Sequence, residues 1–305
     1  MTSNNPLVSI ITATYNRSNI LPYTIASVLR STFEDWELLV VGDACTDDTE
    51  QVVSAFNDPR IRFFNLAQNV GEQSGPNNAG FQYARGLYIA YLNHDDLWLP
   101  DHLATALTGI ETTAADLVFT LGIAIDPRGA HGLLGATPTG YYEPNILVAA
   151  SLWLLRRQLI EEVGPWRFYR ECYNVPSQDW LYRAWRMKKK MVLIPRVTAI
   201  AIPSGGRTNV YANREFKENQ YYYERLVNEG DFLEKELAKI ASVSVARTID
   251  LHIWPHFRRV CRNVIYRASL KCGIPPTVLR NFVWFRRRGG FIDSLRANRG
   301  LSNLR

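Results

Sequence analysis

The chain has 305 residues, 47% of them hydrophobic and 21% charged, a balance that allows a sizeable folded core and excludes global disorder. Its four cysteines (Cys45, Cys172, Cys261 and Cys272) are scattered and form no CxxC pair, which argues against a zinc module or disulfide scaffold and fits a reducing, cytoplasmic setting. The formal charge of +6 is uneven: from Arg247 onward 13 Lys or Arg face 2 Asp or Glu, so a slightly acidic body precedes a strongly basic tail.

In chain order, "MTSNNPLVSIITATYN" shows no basic n-region and no long apolar stretch, so no secretory leader is expected. "LVSIITATY", "WELLVVGD", "IRFFNLA" and "LYIAYLN" read as four apolar strands. Helical patterns separate them: "ILPYTIASVLRST", "TDDTEQVVSAFN" with Thr46 as N-cap, and "NNAGFQYARG". This alternation predicts an α/β fold with a mostly parallel sheet flanked by helices. "DLVFTLGIAID" and "NILVAASLWLLRR" read as further strands, the second partly helical; its apolar run from Ile146 to Leu155 is too short to span a bilayer. A short helix in "RRQLIEEVGPW" should stop at Gly164-Pro165. "PSQDWLYRAWRMKKK" should form another, with Ser177 as N-cap and Lys188 to Lys190 at its favourable C-terminal end. "MVLIPRVTAIAIP" reads as a strand pair interrupted by Pro195, and the chain beyond Gly205-Gly206 turns helical.

"YLNHDDLWLP" ends the fourth strand on two adjacent carboxylates, Asp95 and Asp96, which repel unless a cation, solvent or hydrogen-bond donors relieve them. Thr14-Tyr15-Asn16 and Gly42-Asp43 end the first and second strands in the same way. In an open α/β sheet, ligands sit beyond the carboxyl ends of the strands, so the three clusters should converge on one crevice. A hard divalent cation, Mg²⁺ or Mn²⁺, prefers oxygen ligands and is often held by one or two carboxylates plus substrate phosphates. Neither GxxxxGK[ST] nor a GxGxxG after the first strand is present, which disfavours P-loop and dinucleotide-binding readings.

The segments "VSIITATYNR", "VVGDACTDDT", "NVGEQSGPNNAG" and "ARGLYIAYLNHDDLWLPDHL", with "LIEEVGPW" and "SQDWLYR" further on, resemble in order and spacing the motifs of family 2 glycosyltransferases. The resemblance implies a GT-A fold, a nucleoside-diphosphate sugar donor (a UDP-sugar is favoured) and inverting, non-processive transfer to a saccharide or lipid-linked acceptor in cell-surface glycan synthesis. By the same resemblance Asp43 contacts the nucleobase, and Thr14 and Tyr15 cradle it. Asn16, Gly71 and Asn77 fall in the donor-side motifs, Asp95 faces the ribose, and Asp96 binds the metal bridging the diphosphate. Asp179 matches the base that deprotonates the acceptor hydroxyl, and Trp180 beside it is the candidate for stacking on an acceptor sugar, ahead of Trp166 and Trp185.

Four departures stand out. Gly42-Asp43 replaces the usual Asp-Asp, and Asn93-His94 precedes the aspartate pair where Asp-x is common. Gln178-Asp179 stands for Glu-Asp. Pro76-Asn77-Asn78 replaces an Ala-Arg-Asn, which removes a basic residue near the diphosphate. The expected division is a nucleotide-sugar half (1–103), an acceptor half (104–205) and a helical, basic extension (206–305). Arg interleaved with Trp and Phe in that extension reads either as a solvated helical face over a hydrophobic underside or as attachment to an anionic membrane surface, at the inner face of the cell membrane, and less well as a nucleic-acid site, for which no module is present. His252 and His256 have ligand-like spacing, but Pro255 lies between them. A non-catalytic sugar-nucleotide-binding relative and a nucleotidyltransferase are the competing readings; retention of Asp96 and Asp179 opposes the first and the absence of a Gly-rich first loop the second.

Overall fold

The computed structural model describes residues 5–125, 131–203, 207–211, 217–248, 264, 266, 268, 269 and 271–302. Its strands are β1 (Val8–Thr14), β2 (Trp36–Gly42), β3 (Ile61–Asn65), β4 (Tyr88–Tyr91), β5 (Leu97–Trp98), β6 (Leu117–Ile125), β7 (His131–Leu134), β8 (Trp153–Arg156) and β9 (Met191–Ala201). They form one sheet in the order β3-β2-β1-β4-β8-β6-β9-β5, with β7 paired to β6. The first four strands run parallel; β8 is antiparallel to both β4 and β6, while β6 and β9 are parallel.

The apolar runs decide the centre of the sheet. All seven residues of β2 are buried, and β1 is buried at six of seven, so both faces must be covered by helices. Helix α1 (Leu21–Leu29) buries Leu21, Ile25 and Val28, one face at helical spacing. Helices α2 (Thr49–Ser54), α3 (Ser74–Tyr83), α4 (His102–Thr113), α5 (Arg157–Val163) and α6 (Pro176–Arg186) follow. Helix α3 comes close to β1 because Gly80 has no side chain; a Cβ there would lie 2.5 Å from Ile11 Cγ2. Beyond β9 come α7 (Glu218–Asn228), α8 (Phe232–Thr248), α9 (Pro276–Phe285) and α10 (Gly290–Asn298). Helices α7 and α8 cover a second apolar cluster in which Leu97, Ile123, Ile200, Tyr222 and Phe232 meet. No helix among the described residues is long and apolar enough to cross a membrane.

Several local expectations change. Helix α2 begins at Thr49 with Asp48 as N-cap, so Thr46 is not the cap; its amide instead donates to Asn16 Oδ1 at 2.8 Å. Helix α6 begins at Pro176 with Val175 as N-cap, which puts Ser177 inside the first turn; proline suits that position because its missing N–H would be unsatisfied anyway. The same helix ends at Arg186, and Lys188 to Lys190 lie beyond it in a turn in which Lys188 has φ 58°. Pro195 does not divide β9 into a pair: Met191–Ala201 is one strand, and its register against β6 shifts between Phe119 and Gly122. Directly after Asp96, Leu97-Trp98 forms a two-residue strand that pairs with Ile200 and Ala199 of β9. Cys261, His252 and His256 lie outside the described residues.

The pairing of β5 with β9 curls the sheet. Four strand spacings separate β4 from β5 along the sheet, about 19 Å if it were flat. Residues 92–96 must cover that span while turning, since the Asp96 amide donates to the Asn93 carbonyl at 3.1 Å. A flat sheet would need those residues almost fully extended; the far edge therefore folds back toward β4.

Candidate active site

The carboxyl ends of β1, β2 and β4 open onto one cavity of about 350 Å³, lined among others by Thr14, Tyr15, Asp43, Asp95 and Asp96. The ends are tied together: the Asp43 amide donates to the Thr14 carbonyl at 2.8 Å, and His94 Nδ1 lies 3.1 Å from the Ala13 carbonyl. The predicted convergence of three polar strand ends is therefore what the fold builds.

Asp43 is buried, and its two oxygens accept the amides of Val70 and Gly71, each at 2.7 Å. Burial raises its carboxyl pKa, and those two amides, with the nearby Arg296 charge, oppose the rise. Each oxygen keeps lone-pair capacity on the cavity side. Gly71, at φ 87°, gives the turn that aims both amides at Asp43.

Asp96 is buried and braced on every side. Its Oδ2 accepts from Ser151 Oγ at 2.5 Å and Asn93 Nδ2 at 2.9 Å, and its Oδ1 accepts the Ile202 amide at 3.0 Å. Burial and then the charge of Asp95 push its carboxyl up to about 7. Asp95 differs: its carbonyl accepts from Asn219 Nδ2 at 2.7 Å, while its carboxylate makes no hydrogen bond among the described residues and lines the cavity. Between β4 and the pair, His94 is kept neutral because burial lowers its pKa, and its Nε2 is buried without a partner.

The remaining predicted residues divide. Asn16 and Asn77 are not among the residues lining the cavity; Asn16 holds the loop after β2 through the amides of Thr46 and Asp47 (2.8 and 3.3 Å), and Asn77 is buried in α3. Pro176, Ser177 and Gln178 line the cavity, whereas Asp179 stands one residue beyond, its Oδ2 3.1 Å from Arg183 Nε and its Oδ1 3.7 Å from Arg167 Nη1. Gln178 is locked to the Val148 backbone, donating to its carbonyl at 2.7 Å. Trp180 does not present a face for stacking: it is fully buried against Trp153, with Nε1 donating to the Gly164 carbonyl at 2.8 Å. Trp166 is buried in the same cluster, its ring centroid 5.7 Å from that of Trp153.

Other residues of the site had no signal in the sequence. Ser151, which braces Asp96 from behind the cavity wall, sits in a 3₁₀ turn (Ala150–Leu152) far along the chain. Arg296 and Arg299 come from α10 and its end, and Tyr211 packs its ring 6.2 Å from that of Tyr15.

The family model described as Glycosyl transferase family 2 matches residues 9–163, just over half of the chain and all three strand ends. The chain belongs to glycosyl transferase family 2. It is 39% identical over 106 residues to the putative colanic acid biosynthesis glycosyl transferase WcaA of Escherichia coli strain K12, covering 34% of this chain and 38% of that protein. Over 97 residues it is 39% identical to the UDP-Glc:alpha-D-GlcNAc-diphosphoundecaprenol beta-1,3-glucosyltransferase WfgD of Escherichia coli, 32% of this chain and 38% of that one. The putative teichuronic acid biosynthesis glycosyltransferase TuaG of Bacillus subtilis strain 168 matches at 34% over 122 residues, 39% and 48% of the two chains. The match thus spans less than half the length of these relatives. The fold is that of solved GT-A transferases: S. aureus TarS residues 1–349 with UDP-GlcNAc superposes at a TM-score of 0.56 with 17% identity, over 82% of this chain and 77% of that one. PcManGT of Pyrobaculum calidifontis, a mannosyltransferase solved with GDP-Man and Mn²⁺, gives 0.55 with 16% identity over 92% and 87%.

Proposed function

We propose that the family 2 chain is an inverting transferase that moves a sugar from a nucleoside-diphosphate donor, UDP-sugar favoured, to a hydroxyl of a saccharide or lipid-linked acceptor in cell-surface polysaccharide synthesis. The observation that carries this is the convergence of Thr14-Tyr15, Asp43 and Asp95-Asp96 on one cavity at the carboxyl edge of the sheet. The names of WcaA, WfgD and TuaG support the setting, and the UDP-GlcNAc bound to TarS supports the donor class.

In this reading the buried Asp43 accepts an N–H of the nucleobase, and Tyr15 lies against the base. The two adjacent carboxylates fit Mg²⁺ or Mn²⁺: one is left open toward the cavity, and the buried pair carries repulsion that a cation relieves. Asp95 is the side chain free to reach a metal or ribose, and Asp96, held by Ser151, Asn93 and the Ile202 amide, supplies the second carboxylate and fixes the position of the first. This exchanges emphasis between the two relative to the expectation from motif alone. Among the described residues no group of three or more His, Cys, Asp or Glu is arranged to hold a metal, so further ligands would come from diphosphate and water. When bound, such a cation neutralises charge on the departing nucleoside diphosphate.

Asp179 is our candidate for the group that takes the acceptor proton. Its Oδ2 is fixed by Arg183 within the helix, while its partner on Oδ1, Arg167, is half exposed and stands at 3.7 Å, leaving that oxygen for an incoming hydroxyl. The extension is assigned to an anionic membrane surface: on α9, Leu279, Phe282, Val283 and Trp284 are exposed beside Arg280, Arg286, Arg287 and Arg288. The proposal is tested by calorimetric titration of UDP, dTDP and GDP with and without Mn²⁺, and by donor hydrolysis. Metal-enhanced binding of one diphosphate, lost in Asp95→Asn, is expected. Binding of none of the three, with no hydrolysis of any donor, sinks the reading.

A further inference from the structure

The family pattern carries a basic residue at the start of α3, where this chain has Pro76-Asn77-Asn78. Pro76 lines the cavity, so the departure falls on the donor site itself. The wall that remains is acidic: Asp43, Glu72, Asp95 and Asp96 all line it. A diphosphate entering beside this wall is repelled by each of these carboxyls that is ionised, and basic groups on the wall would offset repulsion that a single divalent ion leaves. Arg296 and Arg299 are the only Lys or Arg side chains that line the cavity among the described residues.

Both arginines reach the site from the far end of the chain. Helix α10 is docked by backbone bonds on two sides: the Gly289 amide donates to the Cys172 carbonyl at 2.8 Å, and the Asn209 and Tyr211 amides donate to the Asn298 and Arg299 carbonyls at 2.9 and 3.2 Å. Ile292, Leu295 and Leu301 line the cavity from the same segment, giving it an apolar underside. Arg296 is 4% exposed and makes no ion pair among the described residues, though its charge acts on the nearby Asp43 and Glu72 carboxyls. Its Nη1 donates to the Gly71 carbonyl and its Nη2 to the Ser302 carbonyl at 2.8 Å, while Nε is buried without a partner. The Arg299 side chain makes no hydrogen bond or ion pair among the described residues, and its Nε is likewise buried and unpartnered.

A buried guanidinium held by carbonyls, with the Asp43 and Glu72 carboxyls near but neither in contact, still has donor capacity that a closer anion would complete. Guanidinium groups bind phosphate oxygens through paired N–H bonds, so two of them on one wall suit a diphosphate better than a single sugar hydroxyl or carboxylate. We propose that the C-terminal segment 290–301 is part of the donor site, and that Arg299, positioned beside Arg296, binds the donor's diphosphate in place of the basic residue absent from α3. The inference rests on the donor reading above and adds to it a diphosphate subsite built from the extension. It also predicts which part of the donor the segment recognises: the phosphates and not the base.

The test compares wild type, Arg299→Met and Arg299→Lys by calorimetry with UDP, uridine and inorganic pyrophosphate, each with Mn²⁺. Arg299→Met should weaken UDP and pyrophosphate about 10- to 100-fold, the loss of one charge-assisted contact, and leave uridine unchanged. Arg299→Lys should recover part of the loss, since the charge is kept and the paired geometry is not. UDP affinity equal to wild type in Arg299→Met overturns the proposal, as does an equal loss for uridine, which would mean a collapsed site. Wild type that binds none of UDP, dTDP and GDP defeats the donor reading itself, a result distinguishable from either because it needs no variant. Unchanged thermal unfolding of Arg299→Met separates lost contact from lost fold.

Discussion

Gly42→Ala tests why this chain lacks the first aspartate of the usual pair. A Cβ at position 42 would lie 2.5 Å from Asn65 Oδ1, 3.0 Å from Cys45 Sγ and 3.1 Å from Phe63 Cζ. Asn65 cannot simply turn aside: its Oδ1 accepts the Cys45 amide at 2.8 Å and its Nδ2 donates to the Cys45 carbonyl at 2.9 Å. The substitution must either overpack the end of β2, costing about 1–3 kcal/mol, or break both bonds at about 0.5–1.5 kcal/mol each. Either route loses about 1–3 kcal/mol. Asn65→Ala alone loses the two bonds and costs a similar amount, but it also removes the atom that Cβ would strike. The double variant should therefore be more stable than the sum of the singles predicts, by about 1 kcal/mol. Urea unfolding at fixed pH gives the four free energies. Additivity within about 0.5 kcal/mol would show that the two positions do not collide and would refute the steric account of Gly42. An aspartate there would add a carboxylate to the same crowded, buried spot, so the pair and Asn65 are alternatives for one space.

Asp179→Asn should keep donor affinity and lose transfer by 100-fold or more; equal loss of both in calorimetry and a transfer assay would assign the residue to structure. Burial pushes the Glu72 carboxyl up to about 7 against 4.5 when free, so the folded chain holds the extra proton between those values and stability falls as pH rises through them. Glu72→Gln should flatten that fall in urea melts between pH 5 and pH 8, and an unchanged slope rejects the assignment. Ser151→Ala removes a donor from Asp96 and should weaken Mn²⁺-dependent nucleotide binding about 10-fold, with metal-free binding little changed in the same titration. Trp284→Asp should cut flotation with anionic vesicles several-fold while leaving neutral vesicles unbound; flotation equal to wild type removes α9 from the membrane reading.

What could be read from the sequence was what repeats locally. Apolar runs and their helical partners gave β1 to β4 and α1 to α3, because each element buries its own periodic face. Asp43 and Asp95-Asp96 were legible because polar residues directly after buried strands need an explanation. Long-range placement was not legible. Nothing adjacent to Ser151 says that it meets Asp96, 55 residues away, and nothing in a run of tail arginines says that two of them enter the site. Leu97-Trp98 was too short to carry a period, so its pairing with β9 went unseen. Trp180 was ambiguous for another reason: a tryptophan in the turn next to a polar site reads the same whether its ring faces the cavity or the core, and Trp153 and the Gly164 carbonyl decided it.

Residues 92–96 are fastened at both ends, by the ladder of β4 on one side and by the two-residue pairing of β5 with β9 on the other. A segment moored twice behaves as a crossbeam of the sheet and not as a loop. Asp95 and Asp96 can then serve as a fixed reference for everything that binds, while whatever opens and shuts during a turnover must be carried by segments moored once. On the proposed function, a donor held on this beam would meet side chains already placed by the sheet, so little conformational entropy would be lost in ordering them.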